Sequence, residues 1–187
     1  VGNIISSKTL KGSETEKNLY KTFAGESRAV VKYMLYAEQA KSECYMWLGE
    51  VFDNTALNEL AHARVVVRTF LRIIGTTLDN LKDSLAGETN EYENLYKEFQ
   101  ETAEREGFTQ IAKFYKELRE VEESHARAFK DFIDKLEDGT MFEGPVESKW
   151  YCMNCGYIYE GKSAPNACPV CSYPKGYFIE FEESPFE

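Results

Sequence analysis

Both histidines of this chain fall in one tetrapeptide pattern, Glu59-Leu-Ala-His62 and Glu122-Glu-Ser-His125, and a matched Ala-Gly-Glu precedes each, ending at Glu26 and at Glu88. Glu26 to Glu59 spans 33 positions and Glu88 to Glu122 spans 34. On a helix, Glu-x-x-His places an oxygen and a nitrogen donor on one face, a turn apart. The order Glu, then Glu-x-x-His, given twice, is the arrangement that builds a two-metal carboxylate site inside a four-helix bundle. It leaves few alternatives: four helices, each carrying a ligand.

The periodicity supports four helices. From Ser13 to Leu136 the sequence lacks proline and is rich in Glu, Lys, Leu and Ala. Ser13 with Glu16 three later resembles a capping box and starts a helix that runs to about Lys41. A second spans Glu43 to Ile74 and stops at Gly75, and a third, capped by Thr77 with Asn80, continues to Glu106. Gly107 then turns into a fourth, Thr109 to Leu136. Each has an apolar stripe at spacings of three and four with an acidic residue on it: Phe23, Glu26, Val30 and Tyr33; Ala56, Glu59, Ala63 and Phe70; Leu85, Glu88, Tyr92 and Phe99; Ile111, Tyr115, Glu122 and Phe132. Several carboxylates facing an apolar core cost many kcal/mol in desolvation and repulsion unless cations lie between them. Carboxylate and imidazole together suit iron, with manganese as runner-up. Glu91, one turn beyond Glu88, can reach the same cavity, whereas the first half has Ala29 at that offset.

After Gly139 the character changes, with five prolines between Pro145 and Pro185. We place one domain at 1–142, a linker at 143–147 and a second domain at 148–187. The second carries Cys152-Met-Asn-Cys155 and Cys168-Pro-Val-Cys171, two Cys-x-x-Cys knuckles that supply four thiolates for Fe or Zn. Trp150, Tyr151, Tyr157, Tyr159, Tyr173, Tyr177 and Phe178 crowd this module, as a shield for an electron carrier or simply as the core of a very small domain. Cys44 stands apart and reads as an inert, partly buried apolar residue.

A formal net charge of −10 with pI near 4.9 argues against nucleic acid or anionic membrane as a partner, since both need clustered Lys and Arg. No segment approaches a membrane span, and residues 1–17 lack the apolar stretch of a secretory signal. The expected location is cytoplasmic.

These residues together resemble the rubrerythrin family over nearly the whole chain. The resemblance is carried by Phe23-Ala-Gly-Glu-Ser27, the two Glu-x-x-His pairs, Ala86-Gly-Glu88-x-x-Glu91, and the tail Cys152-x-x-Cys-Gly-Tyr157 with Cys168-Pro-Val-Cys171. It implies a mainly α protein: a ferritin-like four-helix bundle followed by a small rubredoxin-like β domain. Two non-haem irons held by Glu26, Glu59, His62, Glu88, Glu91, Glu122 and His125 are implied, with one iron on the four cysteines (zinc being the alternative). The implied activity is reduction of hydrogen peroxide to water, electrons coming through the four-cysteine iron from an external NAD(P)H-dependent rubredoxin reductase or similar donor. In the family, a glutamate at the position of Glu91 and the histidine at His62 are associated with iron moving between ligands as its redox state changes. Tyr33 and Tyr96 fall where the family has tyrosines bonded to the ligand shell. Ser172 departs from the glycine usual after the last cysteine, which puts the potential of that centre in doubt. The rivals are an iron-storage protein with a structural zinc ribbon and an oxidase that uses O₂.

One geometric expectation concerns assembly. In a ferritin-like bundle the second and third helices run parallel, so their connection returns along the bundle; this needs about 38 residues between His62 and Glu88, and the sequence supplies 26. We therefore expect a homodimer in which helices one and two of one chain complete a bundle with helices three and four of another. The alternatives are an unswapped bundle of altered topology or a shortened second helix.

Overall fold

The computed structural model describes residues 9–181. The first eight residues, read above for a signal, and the last six, assigned above to the second domain, lie outside the described residues. The chain divides into two compact units, Val1–Thr76 and Thr77–Glu187.

In the first unit, α1 (Glu14–Ser42) packs against α2 (Met46–Val65). Ser13 caps α1 by accepting the Glu16 N–H at 3.0 Å, and Glu16 reaches back to the Gly12 N–H at 2.6 Å. The capping-box reading therefore holds, with the return bond one residue further out. The turn into α2 is a Schellman motif: Cys44 takes φ 65° and donates to the Lys41 carbonyl, while Tyr45 donates to Ala40. Cys44 is exposed there, not partly buried, because the left-handed cap residue points away from the helix pair. The second helix also ends early. Its last turn is a π segment, Val66–Leu71, and Arg72 at φ 54° stops it three residues short of Gly75.

The second unit opens with one rod made of three pieces: α3 (Thr77–Asn90), a π segment (Glu91–Leu95) and α4 (Tyr96–Arg105). Thr77 is already helical rather than the cap. Gly107, at φ 83°, makes the same Schellman turn as Cys44 and leads into α5 (Thr109–Glu137), which packs along both α3 and α4. Lys82 pairs with Glu137 at 2.5 Å across α3 and α5.

Two helices side by side bury a narrow line of small residues: Ala37, Ala40, Ala56 and Ala63 in one unit, Ala103, Ala112 and Ala126 in the other. Larger stripe residues stay accessible, Phe70 at 52%, Ile111 at 48% and Phe132 at 40%. Within one chain the stripe is therefore only partly buried, since a helix pair encloses only its line of contact.

The C-terminal module is a three-stranded sheet of β1 (Glu143–Cys152), β2 (Ile158–Ser163) and β3 (Phe178–Phe181) in the order β2-β1-β3. Residues 143–147, read above as linker, form the start of β1, where Glu143 pairs with Ser163 before a register shift ahead of Ser148. Trp150, Cys152, Ala164, Cys168 and Phe178 make a compact core, and the Trp150 indole N–H donates to the Gly161 carbonyl at 2.9 Å. Of the aromatics expected to shield the cysteines, Tyr173 and Tyr177 are 39% and 40% exposed.

Candidate metal centres

Each helix pair assembles the same three donors. In the first, α1 presents Glu26 and α2 presents Glu59 and His62; His62 Nδ1 lies 2.9 Å from Glu59 Oε2 and 3.7 Å from Glu26 Oε2. In the second, His125 Nδ1 from α5 lies 2.8 Å from Glu122 Oε2 and 3.5 Å from Glu88 Oε2 of α3. The three donor atoms of each set fall within 4.8 Å of one another. The carboxylates are mostly shielded, Glu122 with 12% of its side chain exposed, whereas His62 and His125 are open at 62% and 50%.

The electrostatics call for a cation. The hydrogen bond to Glu59, then burial, raises the Glu26 carboxyl above its ordinary value, while the same bond and that to His62 lower Glu59. Two carboxyls so placed share a proton or a positive ion. Burial and then Glu122 raise Glu88. Glu88 Oε2 is sealed from solvent and has no well-formed hydrogen bond among the described residues, with His125 Nδ1 3.5 Å away; an acceptor left so poorly satisfied costs about 1–3 kcal/mol. Four carboxylates and two imidazoles in two matched sets fit a diiron centre.

The halves differ in one respect that sequence spacing could have revealed. Tyr33 follows Glu26 by seven positions, but Tyr96 follows Glu88 by eight. The π segment Glu91–Leu95 takes up the surplus residue, and the two tyrosines then occupy equivalent places. Tyr33 stacks on Phe52 with centroids 6.2 Å apart, and Tyr96 lies 5.9 Å from Tyr115. Phe52 and Tyr115 both precede their Glu-x-x-His glutamate by seven. Tyr36 and Phe99 complete the two aromatic clusters. Glu91 is at the first position of the π segment; burial first, then the charges of Glu91, Glu122 and Glu88, push the Tyr96 phenol upward, so it stays protonated. The structure therefore places Tyr96 near the second donor set, where Glu88, Glu122 and His125 converge without Glu91, and Tyr33 in the aromatic cluster of the first. The periodicity reading missed both π segments, because it assumes one helical pitch throughout.

The four cysteines converge. Cys152 Sγ and Cys171 Sγ are 3.8 Å apart, and Cys155 and Cys168 are 3.6 Å apart. A metal with four thiolates at roughly 2.3 Å requires sulfur separations of about 3.8 Å at tetrahedral angles, so the cluster is already of the size to take one ion. Gly156 and Ser172 both hold positive φ, 76° and 61°, and donate back to the Cys152 and Cys168 carbonyls. The next N–H in each knuckle then reaches sulfur. That of Tyr173 holds the Cys171 thiol down to about 6. Tyr157 acts likewise on Cys155, but burial and the three neighbouring thiols outweigh it and push that thiol up to about 12. The set fits one iron.

Among the described residues no helix is long and apolar enough to cross a membrane. The family model described as Rubrerythrin matches residues 17–78 and 79–154, and that described as Rubrerythrin, rubredoxin-like domain matches 150–179. Rubrerythrin of Porphyromonas gingivalis is 41% identical over 184 residues, covering 91% of this chain and 92% of that protein. Rubrerythrin of Nitratidesulfovibrio vulgaris is 38% identical, covering 91% and 96%, and nigerythrin of the same organism is 27% identical, covering 95% and 91%.

Proposed function

This chain belongs to the rubrerythrin family, and from that premise we propose that it reduces hydrogen peroxide to water: H₂O₂ + 2e⁻ + 2H⁺ → 2H₂O. The observation that carries the reading is the union, in one polypeptide, of two matched Glu, Glu-x-x-His sets with a four-thiolate site of tetrahedral size. Iron held by the two Glu, Glu-x-x-His sets would supply the two electrons for O–O cleavage, and iron held by Cys152, Cys155, Cys168 and Cys171 would supply a one-electron relay from an external NAD(P)H-dependent reductase. Storage of iron needs no such electron-transfer module.

The side chains divide the work. Glu26, Glu59, Glu88 and Glu122 bind the cations, and the Nδ1 edges of His62 and His125, which already face those carboxylates, complete the donor sets. Glu91 is the mobile member, one turn beyond Glu88 and close enough to Tyr96 for its charge to act on the phenol. Tyr96, kept protonated, can hand a proton toward leaving oxygen, and Glu91 beside it can restore that proton. Tyr33 holds the matching place in the other half. Cys152, Cys155, Cys168 and Cys171 bind the relay ion, with the Tyr157 and Tyr173 N–H groups favouring thiolate.

The protein acts in this reading as a homodimer swapped between helix pairs. Only residues 72–76 separate the helical segments of the two units. Five extended residues span roughly 17 Å, less than half of a bundle's length. The exposed Phe70, Ile111 and Phe132 are the apolar surface that a second copy would cover. A diiron site that survives intact in dissociated monomer would remove the swap and favour altered topology.

Stopped-flow mixing of the fully reduced, iron-loaded protein with peroxide or with O₂ tests the activity. Reoxidation by peroxide should be much the faster, consuming one peroxide for every two ferrous ions, those of the four-cysteine site included. Equal rates would make the protein an oxidase. Iron cores accumulating beyond two per helical site would make it a store.

A further inference from the structure

When one turn of helix widens from α to π, a backbone carbonyl loses its donor. In the Glu91–Leu95 segment the Tyr96 N–H donates to the Glu91 carbonyl, five residues back, instead of Tyr92, four back. The Tyr92 carbonyl is taken up from the neighbouring helix. Arg119 Nε of α5 donates to it at 2.8 Å, and Arg119 Nη1 donates to Gln100 Oε1 at 3.1 Å, both part-buried. Hydrogen bonds from a charged donor are the strong ones, and an orphaned carbonyl in a shielded place would press the segment back toward ordinary α pitch.

The other half supplies a comparison within the same chain. Arg119 precedes Glu122 by three, and Ala56 precedes Glu59 by three; Gln100 follows Tyr96 by four, and Ala37 follows Tyr33 by four. Ala37 and Ala56 are buried at 1% and 4%. The stretch from Glu26 to Tyr33 is continuous α-helix. Thus the widened stretch between Glu88 and Tyr96 has the Arg–Gln pair beside it, and the matching α-helical stretch between Glu26 and Tyr33 has two alanines.

We infer that Arg119 is a positioning residue: braced by Gln100, it holds the Tyr92 carbonyl and so keeps the turn that sets where Glu91 and Tyr96 stand relative to the second donor set. Its functional consequence rests on Glu91 acting as a ligand, as proposed above; the backbone effect does not. Return of the turn to α pitch would rotate Glu91 by about 100° relative to Tyr96.

The test uses the full chain with Arg119→Met, Arg119→Lys, Glu91→Ala and the Arg119→Met/Glu91→Ala double variant. Two readings are taken: the crystal structure of each metal-free protein, and cobalt(II) titration of the helical donor sets after the four-cysteine site, recognised by its thiolate absorption, has filled. R119M should return the Tyr96 N–H to the Tyr92 carbonyl. It should also weaken the second donor set about tenfold and change its cobalt d–d spectrum. R119K should recover most of both, and the double variant should be no weaker than E91A alone. Retention of the π turn in R119M, or losses from R119M and E91A that multiply, overturns the inference. If E91A leaves cobalt affinity unchanged while R119M still loses the π turn, the ligand role of Glu91 falls and that of Arg119 stands. Should R119M not fold, Gln100→Ala carries the test in the same direction, and no change in either reading overturns the inference.

Discussion

Ser172 sits at φ 61° in the second cysteine knuckle, where Gly156 sits at φ 76° in the first. A non-glycine residue in this region costs about 1–2 kcal/mol, and glycine gives back roughly 0.5–1 kcal/mol through its greater entropy in the unfolded chain. Ser172→Gly should therefore stabilise the module by about 1 kcal/mol. The reciprocal change is equally well defined. A Cβ added at Gly156 would meet Tyr151 Oη at 3.8 Å and Cε2 at 3.9 Å, ordinary contacts, so Gly156→Ser should lose only the backbone contribution, again about 1 kcal/mol. The double variant should return close to the starting protein. Metal binding and folding are coupled in so small a module, so 1 kcal/mol appears as about a fivefold change in metal dissociation constant. Chelator competition on the zinc-loaded intact protein measures it. If Ser172→Gly weakens binding, the hydroxyl makes a contact that outweighs the strain; a loss above about 3 kcal/mol for Gly156→Ser would show that the knuckles are not equivalent. Either result refutes the reasoning.

Cys44→Gly relieves the same strain in the α1–α2 turn and should raise the stability of the helical part by about 0.5–1 kcal/mol, a shift of roughly 1–4 °C; calorimetry decides it, and an unchanged or lower Tm counts against the cap assignment. Glu59→Ala with Glu122→Ala should abolish iron in the helical sites while leaving one iron on the cysteines, as read by metal analysis and visible absorption; two retained helical irons would end the ligand assignment. The pH dependence of the metal-free protein follows from the carboxyl shifts. Glu26 and Glu88 are raised above the ordinary 4.5, so the folded state holds more protons, and stability falls as pH rises from about 4.5 through the raised values. Glu59 is lowered, and its contribution is lost only below 4.5. Metal loading should reverse the upper limb, because the ligands must be deprotonated to bind. Thermal melts between pH 4.5 and 7.5, with and without chelator, should therefore show opposite slopes.

Much of the site is legible in the sequence. Glu26, Glu59, His62, Glu88, Glu122 and His125 stand out by their doubled spacing, because a fixed helical pitch converts sequence interval directly into shared face. The four cysteines stand out the same way, their knuckles being local structures with the geometry written into Cys-x-x-Cys. Helix limits that depend on local capping also held, at Ser13 and Gly107. Tertiary packing decided what pitch alone does not encode. The π turn at Glu91 could have been suspected from the extra residue between Glu88 and Tyr96, but which carbonyl it frees, and that Arg119 from 27 residues away answers it, depends on another helix lying alongside. The exposure of Cys44 and the early end at Arg72 are likewise set where the helix pair closes, since a left-handed residue is admitted wherever the surrounding bonds outweigh its strain.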